Sequence, residues 1–207
     1  PFADNKRVLL GDYVLECEGE LDTCQRANLV PVRYPWLVEL DTRTMKHWSE
    51  IVIPPDNEHI AWTILRTDIG AANGLGVLKR KQNSYVIERP QIISSFGAFQ
   101  QDKVKPGFFL PLQLLGGEVK QFVRGGAAIS LVGSKNGYIT DSVVQDLVSG
   151  EVTQITHTPG YDETTIFSPD ECLGIVMSSR GSKKTDPAIF GWMPRPYGQY
   201  VMQGLTM

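Results

Sequence analysis

The side chains that could do chemistry here are few. Histidine occurs three times, at His47, His59 and His157, and cysteine three times, at Cys17, Cys24 and Cys172. An odd cysteine count with no C-x-x-C spacing argues against a zinc ribbon or a disulfide framework. Cys17 and Cys24 either close a short loop through Glu18–Thr23 or stand as two free thiols. Gly70-x-x-x-Gly74-x-Gly76 follows a plausible strand, Ile60 to Leu65, and superficially matches a dinucleotide-binding loop. That chemistry needs a helix directly afterwards, so that its amides meet the pyrophosphate. Val77–Asn83 offers no amphipathic helix, so Arg66–Gly76 reads as a flexible Gly-rich loop. Gly133-Ser-Lys135 has the wrong order for a phosphate loop, and neither Gly-x-Ser-x-Gly nor His-Glu-x-x-His occurs. Aromatic residues are better candidates, for recognition by stacking. Trp62 sits in a strand and reads as core. Tyr34, Trp36, Trp192 and Tyr197 lie in Pro-interrupted stretches that suit a binding surface, with packing between units as their alternative use.

The elements that must carry these residues come from a repeat. Phe167-Ser-Pro-Asp-Glu-Cys-Leu-Gly-Ile-Val-Met-Ser-Ser-Arg180, Ile53-Pro-Pro-Asp-Asn-Glu-His-Ile-Ala-Trp-Thr63 and Pro1-Phe-Ala-Asp-Asn-Lys-Arg-Val-Leu-Leu-Gly11 share one plan. A turn built on Asp, with Pro before it in the first two, leads into a short apolar strand. Proline presets φ, and Asp or Asn supplies a local acceptor and tolerates a left-handed backbone, so the pattern predicts hairpins. Asn5 and Asn57 fit the turn; Glu171 predicts a wider one. Asp56 to Asp170 is more than twice the Asp4 to Asp56 spacing, which predicts a degenerate copy between them. A second motif, Gly117-Glu-Val-Lys-Gln-Phe-Val123, is echoed by Gly150-Glu-Val-Thr-Gln-Ile-Thr156, with Leu37–Lys46 as a worn third copy. The segment Ser142–Val148 fits helix or strand; its β-branched residues and Gly150 favour a hairpin. Residues 64–110 are the least regular, with strands around Pro90, and read as elaborations on one face. Phe108–Leu115 reads as an apolar strand.

The stretch Thr156-His-Thr-Pro-Gly-Tyr-Asp-Glu-Thr-Thr-Ile-Phe-Ser-Pro-Asp through Ser-Ser-Arg180 resembles the WD40-like repeat of TolB-type propellers. Residues 150–181 carry the match well, 37–63 moderately, and 1–11 as the tail of a copy. The resemblance implies an all-β fold: a β-propeller of four-stranded antiparallel blades, incomplete or with degenerate repeats. On this reading residues 1–207 are one propeller domain or a segment of one. About four blades fit the length, at ~40–50 residues each. The opening in mid-hairpin points to incompleteness.

The resemblance also implies a function: a non-catalytic scaffold recognising a protein, peptide or saccharide on one ring face, without a cofactor. The alternatives are an oligogalacturonate-lyase type of enzyme or the propeller of a prolyl-oligopeptidase-type peptidase. A lyase would need a divalent metal gripped by clustered side chains. His47 and His157, in loops that precede inner strands, are its candidate ligands, whereas His59 reads as an exposed hairpin residue. The family association implies a periplasmic or secreted protein. A formal net charge of -3 argues against non-specific nucleic-acid binding. No apolar run is long enough to span a bilayer as a helix.

Overall fold

The structure is a computed structural model, and it describes residues 1–35, 49–66, 70–95, 99–101, 104–107, 109–111, 118–133, 141–157 and 162–178. In chain order the strands are β1 (Arg7–Leu10), β2 (Tyr13–Cys17), β3 (Ala27–Arg33), β4 (Ser49–Val52), β5 (His59–Arg66), β6 (Gly70–Arg80) and β7 (Tyr85–Ser95). There follow β8 (Phe99–Gln101), β9 (Phe109–Pro111), β10 (Val119–Val123), β11 (Ala128–Gly133), β12 (Asp141–Asp146), β13 (Val152–Gln154), β14 (Ile166–Phe167) and β15 (Gly174–Ile175). They form four successive units. In the first, β1, β2 and β3 run antiparallel. The second is the antiparallel meander β4-β5-β6-β7, and the third is β10-β11-β12-β13. The fourth is the hairpin β14–β15. A small hairpin, β8–β9, lies between the second and third.

Alternation along the strands explains why the units stack. Successive side chains of a strand point to opposite faces. In β5, Ile60, Trp62 and Ile64 join a core shared with Val14, Val30 and Phe2 of the first unit. Ala61, between them, joins a second core with Val119, Ile129 and Leu131 of the third unit. In β12, Val143 faces that second core, while Val144 faces a third one with Val123, Ala128 and Phe167 of the fourth unit. The second and third units therefore bury both faces against their neighbours, and the first and fourth bury one each. No unit could remove both from water alone, and burial of each large side chain is worth roughly 1.5–3 kcal/mol.

The Pro-Asp turns are the most regular feature. Asn5, Asn57 and Glu171 all have a left-handed backbone, with φ of 54°, 60° and 58°. Their N–H groups donate to the carbonyls of Phe2, Pro54 and Ser168 at 3.2, 3.1 and 2.8 Å. The closing bond is also shared: Phe2 N–H to Arg7 O and Ser168 N–H to Leu173 O are both 2.9 Å. The wider turn expected at Glu171 is therefore not present. Glutamate simply occupies the asparagine position, at the steric cost that a non-glycine residue meets there. The degenerate copy is Val123–Ala128. It has the same length between its closing pair, Val123↔Ala128, but Arg-Gly-Gly replaces Pro-Asp-Asn, and Arg124, Gly125 and Gly126 all have positive φ.

Other expectations need correction. The Gly-rich stretch is no loop: Gly70–Arg80 is an eleven-residue strand, paired with β5 from His59↔Val77 to Arg66↔Gly70. Periodicity missed it because glycines stand where side chains are normally read. Tyr85–Ser95 is likewise one continuous strand, which passes Pro90 through register shifts and a positive φ at Arg89. Residues 64–95 are thus largely sheet rather than surface elaboration. The two Gly-Glu-Val motifs are not equivalent. The first leads into β10, which opens a meander, whereas Gly150 turns β12 into β13, which closes it. Residues 142–146 are strand, as the hairpin reading expects. Of Phe108–Leu115, only Phe109–Pro111 is described as strand, and Leu37–Lys46 lies outside the described residues.

Two ties had no sequence signal. β3 pairs parallel with β7 at Val32↔Tyr85 and Arg33↔Val86, which merges the first two units into one seven-stranded sheet. Beside it, the Glu16 carboxylate accepts from Arg80 Nε at 2.9 Å and from the Tyr85 hydroxyl. Cys17 and Cys24 are joined by a disulfide, and Cys172 is free and exposed.

Candidate binding site

Strands β4, β10 and β14 open consecutive units and lie side by side. Each of the first two carries a bulge. In β4 the register shifts between Ser49 and Ile51, and in β10 between Val119 and Gln121. The extra residues are Glu50 and Lys120. A bulge re-aims a side chain that regular pleating would send elsewhere. Here the two re-aimed groups meet: Lys120 Nζ donates to Glu50 Oε1, and lies 3.4 Å from Glu118 Oε2. Glu50 has φ of 55°, a left-handed conformation that costs a β-carbon-bearing residue about 1–2 kcal/mol. Strain of this kind persists only where surrounding structure imposes it, and it concentrates at functional sites.

The charge of a third carboxylate, Glu163 of the next unit, also acts on the ammonium. Burial alone would lower the Lys120 pKa, but hydrogen bonding to Glu50 and the charges of Glu50, Glu118 and Glu163 outweigh it. The ammonium is held above its ordinary value. Glu163 is fixed by its own N–H, which donates to Met177 O at 2.8 Å. The flanking chain is fixed by buried polar groups. Thr165 N–H donates to Ser142 Oγ at 2.8 Å, Ser142 N–H to Thr156 Oγ1 at 3.0 Å, and Gln154 Nε2 to Asp141 Oδ2 at 2.6 Å. The Gln121 side chain ties β10 to β14 by mimicking a strand neighbour. Its Oε1 accepts from Phe167 N–H at 2.8 Å and its Nε2 donates to Phe167 O at 3.2 Å. Two carboxylates in contact with one ammonium, with the charge of Glu163 acting on the same group, leave an excess of negative charge on a partly open surface. The side chains of Glu50, Glu118 and Lys120 keep 31%, 36% and 20% of their exposure. Such a surface suits ammonium or guanidinium groups.

None of these four residues emerged from the sequence as a site. The available signal was a charged residue next to buried apolar ones in the strand that opens a unit, as in Val119-Lys120-Gln121-Phe122. Of the expected site residues, His157 is exposed and follows buried Thr156. Tyr34 is half-buried. Its hydroxyl donates to Gly11 O at 3.3 Å, and its ring meets Trp62 edge-on with centroids 6.0 Å apart. Burial raises its pKa well above the usual tyrosine value. Its contacts are those of packing between the first two units. His59 Nδ1 lies 2.6 Å from Asp56 Oδ2 within its own turn. Trp36, His47, Trp192 and Tyr197 lie outside the described residues. Among the described residues, no three His, Cys, Asp or Glu side chains are placed to hold a metal ion, and no helix is long and apolar enough to cross a membrane.

The chain matches no protein-family model and no curated protein. It is similar to a solved structure, that of a protein from Agrobacterium tumefaciens designated TolB, with a TM-score of 0.51 and 16% identity. The likeness covers 86% of this chain and 52% of that one, so the chain spans about half the length of the structure it matches. At this identity the likeness shows the fold: a mostly β, TolB-like arrangement.

Proposed function

We propose that the chain is a four-unit stretch of β-propeller, residues 1–207 forming one domain or part of one, and that it is a non-catalytic binding scaffold. Its occupant is a protein or peptide segment presenting lysine or arginine to Glu50, Glu118 and Glu163. The observation that carries this reading is the strained Glu50, delivered by a bulge to a cluster drawn from three successive units. The stacked cores, the four turns at equivalent positions and the TolB-like likeness support the propeller part. The Cys17–Cys24 disulfide supports an exported location, because such bonds persist in oxidising compartments. An oligogalacturonate lyase would bind a polyanion, which an excess of carboxylates repels, so this site does not favour that alternative.

Calorimetric titration with an Arg/Lys-rich peptide, an Asp/Glu-rich peptide and a neutral oligosaccharide tests the reading. The basic peptide should bind, with affinity falling as salt rises, and Glu50→Gln with Glu163→Gln should weaken it at least tenfold. Binding that is unchanged in the double variant, or confined to the acidic peptide or the saccharide, would overturn it.

A further inference from the structure

The turns are linked to one another, and the linkage follows a rule. Asn57 Oδ1, at the left-handed position of the second turn, accepts from the backbone N–H of Ala3, the second residue of the first turn, at 2.6 Å. Glu171 Oε1, at the same position of the fourth turn, accepts from the N–H of Arg124, the second residue of the third turn, also at 2.6 Å. The junction between the second and third turns lacks both halves of the bond. Its donor position is Pro55, which has no N–H, and its acceptor position is Gly126, which has no side chain. The two turns still touch there: a Cβ added at Gly126 would lie 3.7 Å from Pro54 Cβ. Donor and acceptor are thus present together at two junctions and absent together at one.

We infer that this side chain-to-backbone bond is a lateral coupling between consecutive β units, and that proline at the second turn position marks the junction where the chain does without it. The left-handed residue has two jobs. Its backbone closes its own turn, and its side chain reads the preceding one. This explains why Glu171 stands where glycine would fit the backbone better. It also explains why Ala3 keeps an N–H at a position where Pro55 and Pro169 show that proline suits the turn; at Arg124 the positive φ excludes proline in any case. The bond adds specificity of order: a turn with an acceptor belongs after a turn with a free N–H.

The test is a double-mutant cycle on the whole chain, read by urea unfolding and by amide exchange. Ala3→Pro removes the donor with a residue that equivalent turns accept, and Asn57→Gly removes the acceptor while keeping the left-handed backbone. Each should raise the unfolding constant by about 2- to 10-fold, the range for one net hydrogen bond, and the double variant should cost no more than the larger single. Exchange at the Ala3 N–H should quicken in Asn57→Gly. If the two costs add fully, or that exchange rate is unchanged, the coupling does not exist. At the fourth turn, Glu171→Gln should keep the Arg124 N–H protected and Glu171→Gly should release it; equal protection in both would overturn the rule there. At the silent junction, Pro55→Ala and Gly126→Asn should stabilise more together than the sum of their separate effects. A purely additive result would show that Pro55 and Gly126 do not mark a missing bond.

Discussion

The indole of Trp62 fills the space above Gly74: a Cβ built on the glycine would lie 2.6 Å from Trp62 Cζ2 and 2.7 Å from Cε2. Trp62 is fully buried in the first core, so the ring has nowhere to retreat. Alanine normally suits a strand better than glycine by about 0.5–1 kcal/mol. Overpacking a close-fitted core costs about 1–3 kcal/mol, and the second effect wins. Gly74→Ala should therefore lower the urea midpoint without changing the slope. In a Trp62→Phe background the added cost of Gly74→Ala should fall by more than half. An alanine tolerated equally in both backgrounds would show that the contact is not what keeps glycine there.

That pair also marks the limit of what the sequence shows. The Pro-Asp turns were legible because their signal is local: Asp4, Asp56 and Asp170 act on backbone within three residues. The hairpin at 142–154 was legible for the same reason. Gly74 and Gly76 carry no local strand signal because their cause lies across the sheet, at Trp62 and at Ile87, whose Cγ2 a Cβ on Gly76 would collide with. The site was hidden more deeply. Glu50 and Lys120 are brought together by two bulges seventy residues apart in sequence, and an unpaired bulge residue has no periodicity to betray it.

The turn aspartates predict acid sensitivity. At Asp56, burial pushes the pKa up, but the N–H groups of His59 and Glu58 and the His59 ring outweigh it and hold the carboxyl below its ordinary value. Asp4 follows the same balance, with burial opposed by Lys6 N–H and Arg7. Asp170 is lowered chiefly by the Ser168 hydroxyl, and Asp146 by Ser149 N–H. A folded pKa below the unfolded one stabilises above the unfolded value of about 3.9, and that contribution is lost as pH falls through the folded value. Urea midpoints should therefore be flat near neutrality and decline below about pH 4. Asp56→Asn keeps an acceptor but no titrating group, so its decline should be shallower than wild type. A parallel decline would remove Asp56 from the account.

Glu50 sets strain against an ion pair. Replacing it with glycine relieves a left-handed backbone worth about 1–2 kcal/mol and removes a partly exposed pair worth about 0.2–1 kcal/mol. Glu50→Gly should therefore be neutral or slightly more stable in thermal unfolding, while binding of a basic peptide weakens. Glu50→Gln keeps the strain, loses the charge and should be less stable than Glu50→Gly. Were Glu50→Gly the less stable of the two, the left-handed backbone at Glu50 would carry no such cost and the argument for functional strain would fail.

The disulfide makes the first unit the redox-sensitive one. Cys17 and Cys24 close a seven-residue separation, and the loop between them is anchored on the first turn, where Leu21 N–H donates to Asn5 O at 2.8 Å. Closing so short a loop is worth about 2–3 kcal/mol in the chain-entropy view. Native protein should take up one alkylating group, at exposed Cys172, and three after reduction. Reduction should lower the unfolding midpoint, and Cys17→Ser with Cys24→Ser should reproduce the shift and abolish the response to reductant. The loosening should be local. Amide exchange at Leu21 should quicken on reduction, whereas Ile129 and Leu131, buried between the second and third units, should change only as far as global stability changes. Equal acceleration at both places would mean that the units open as one body rather than from the disulfide-closed end.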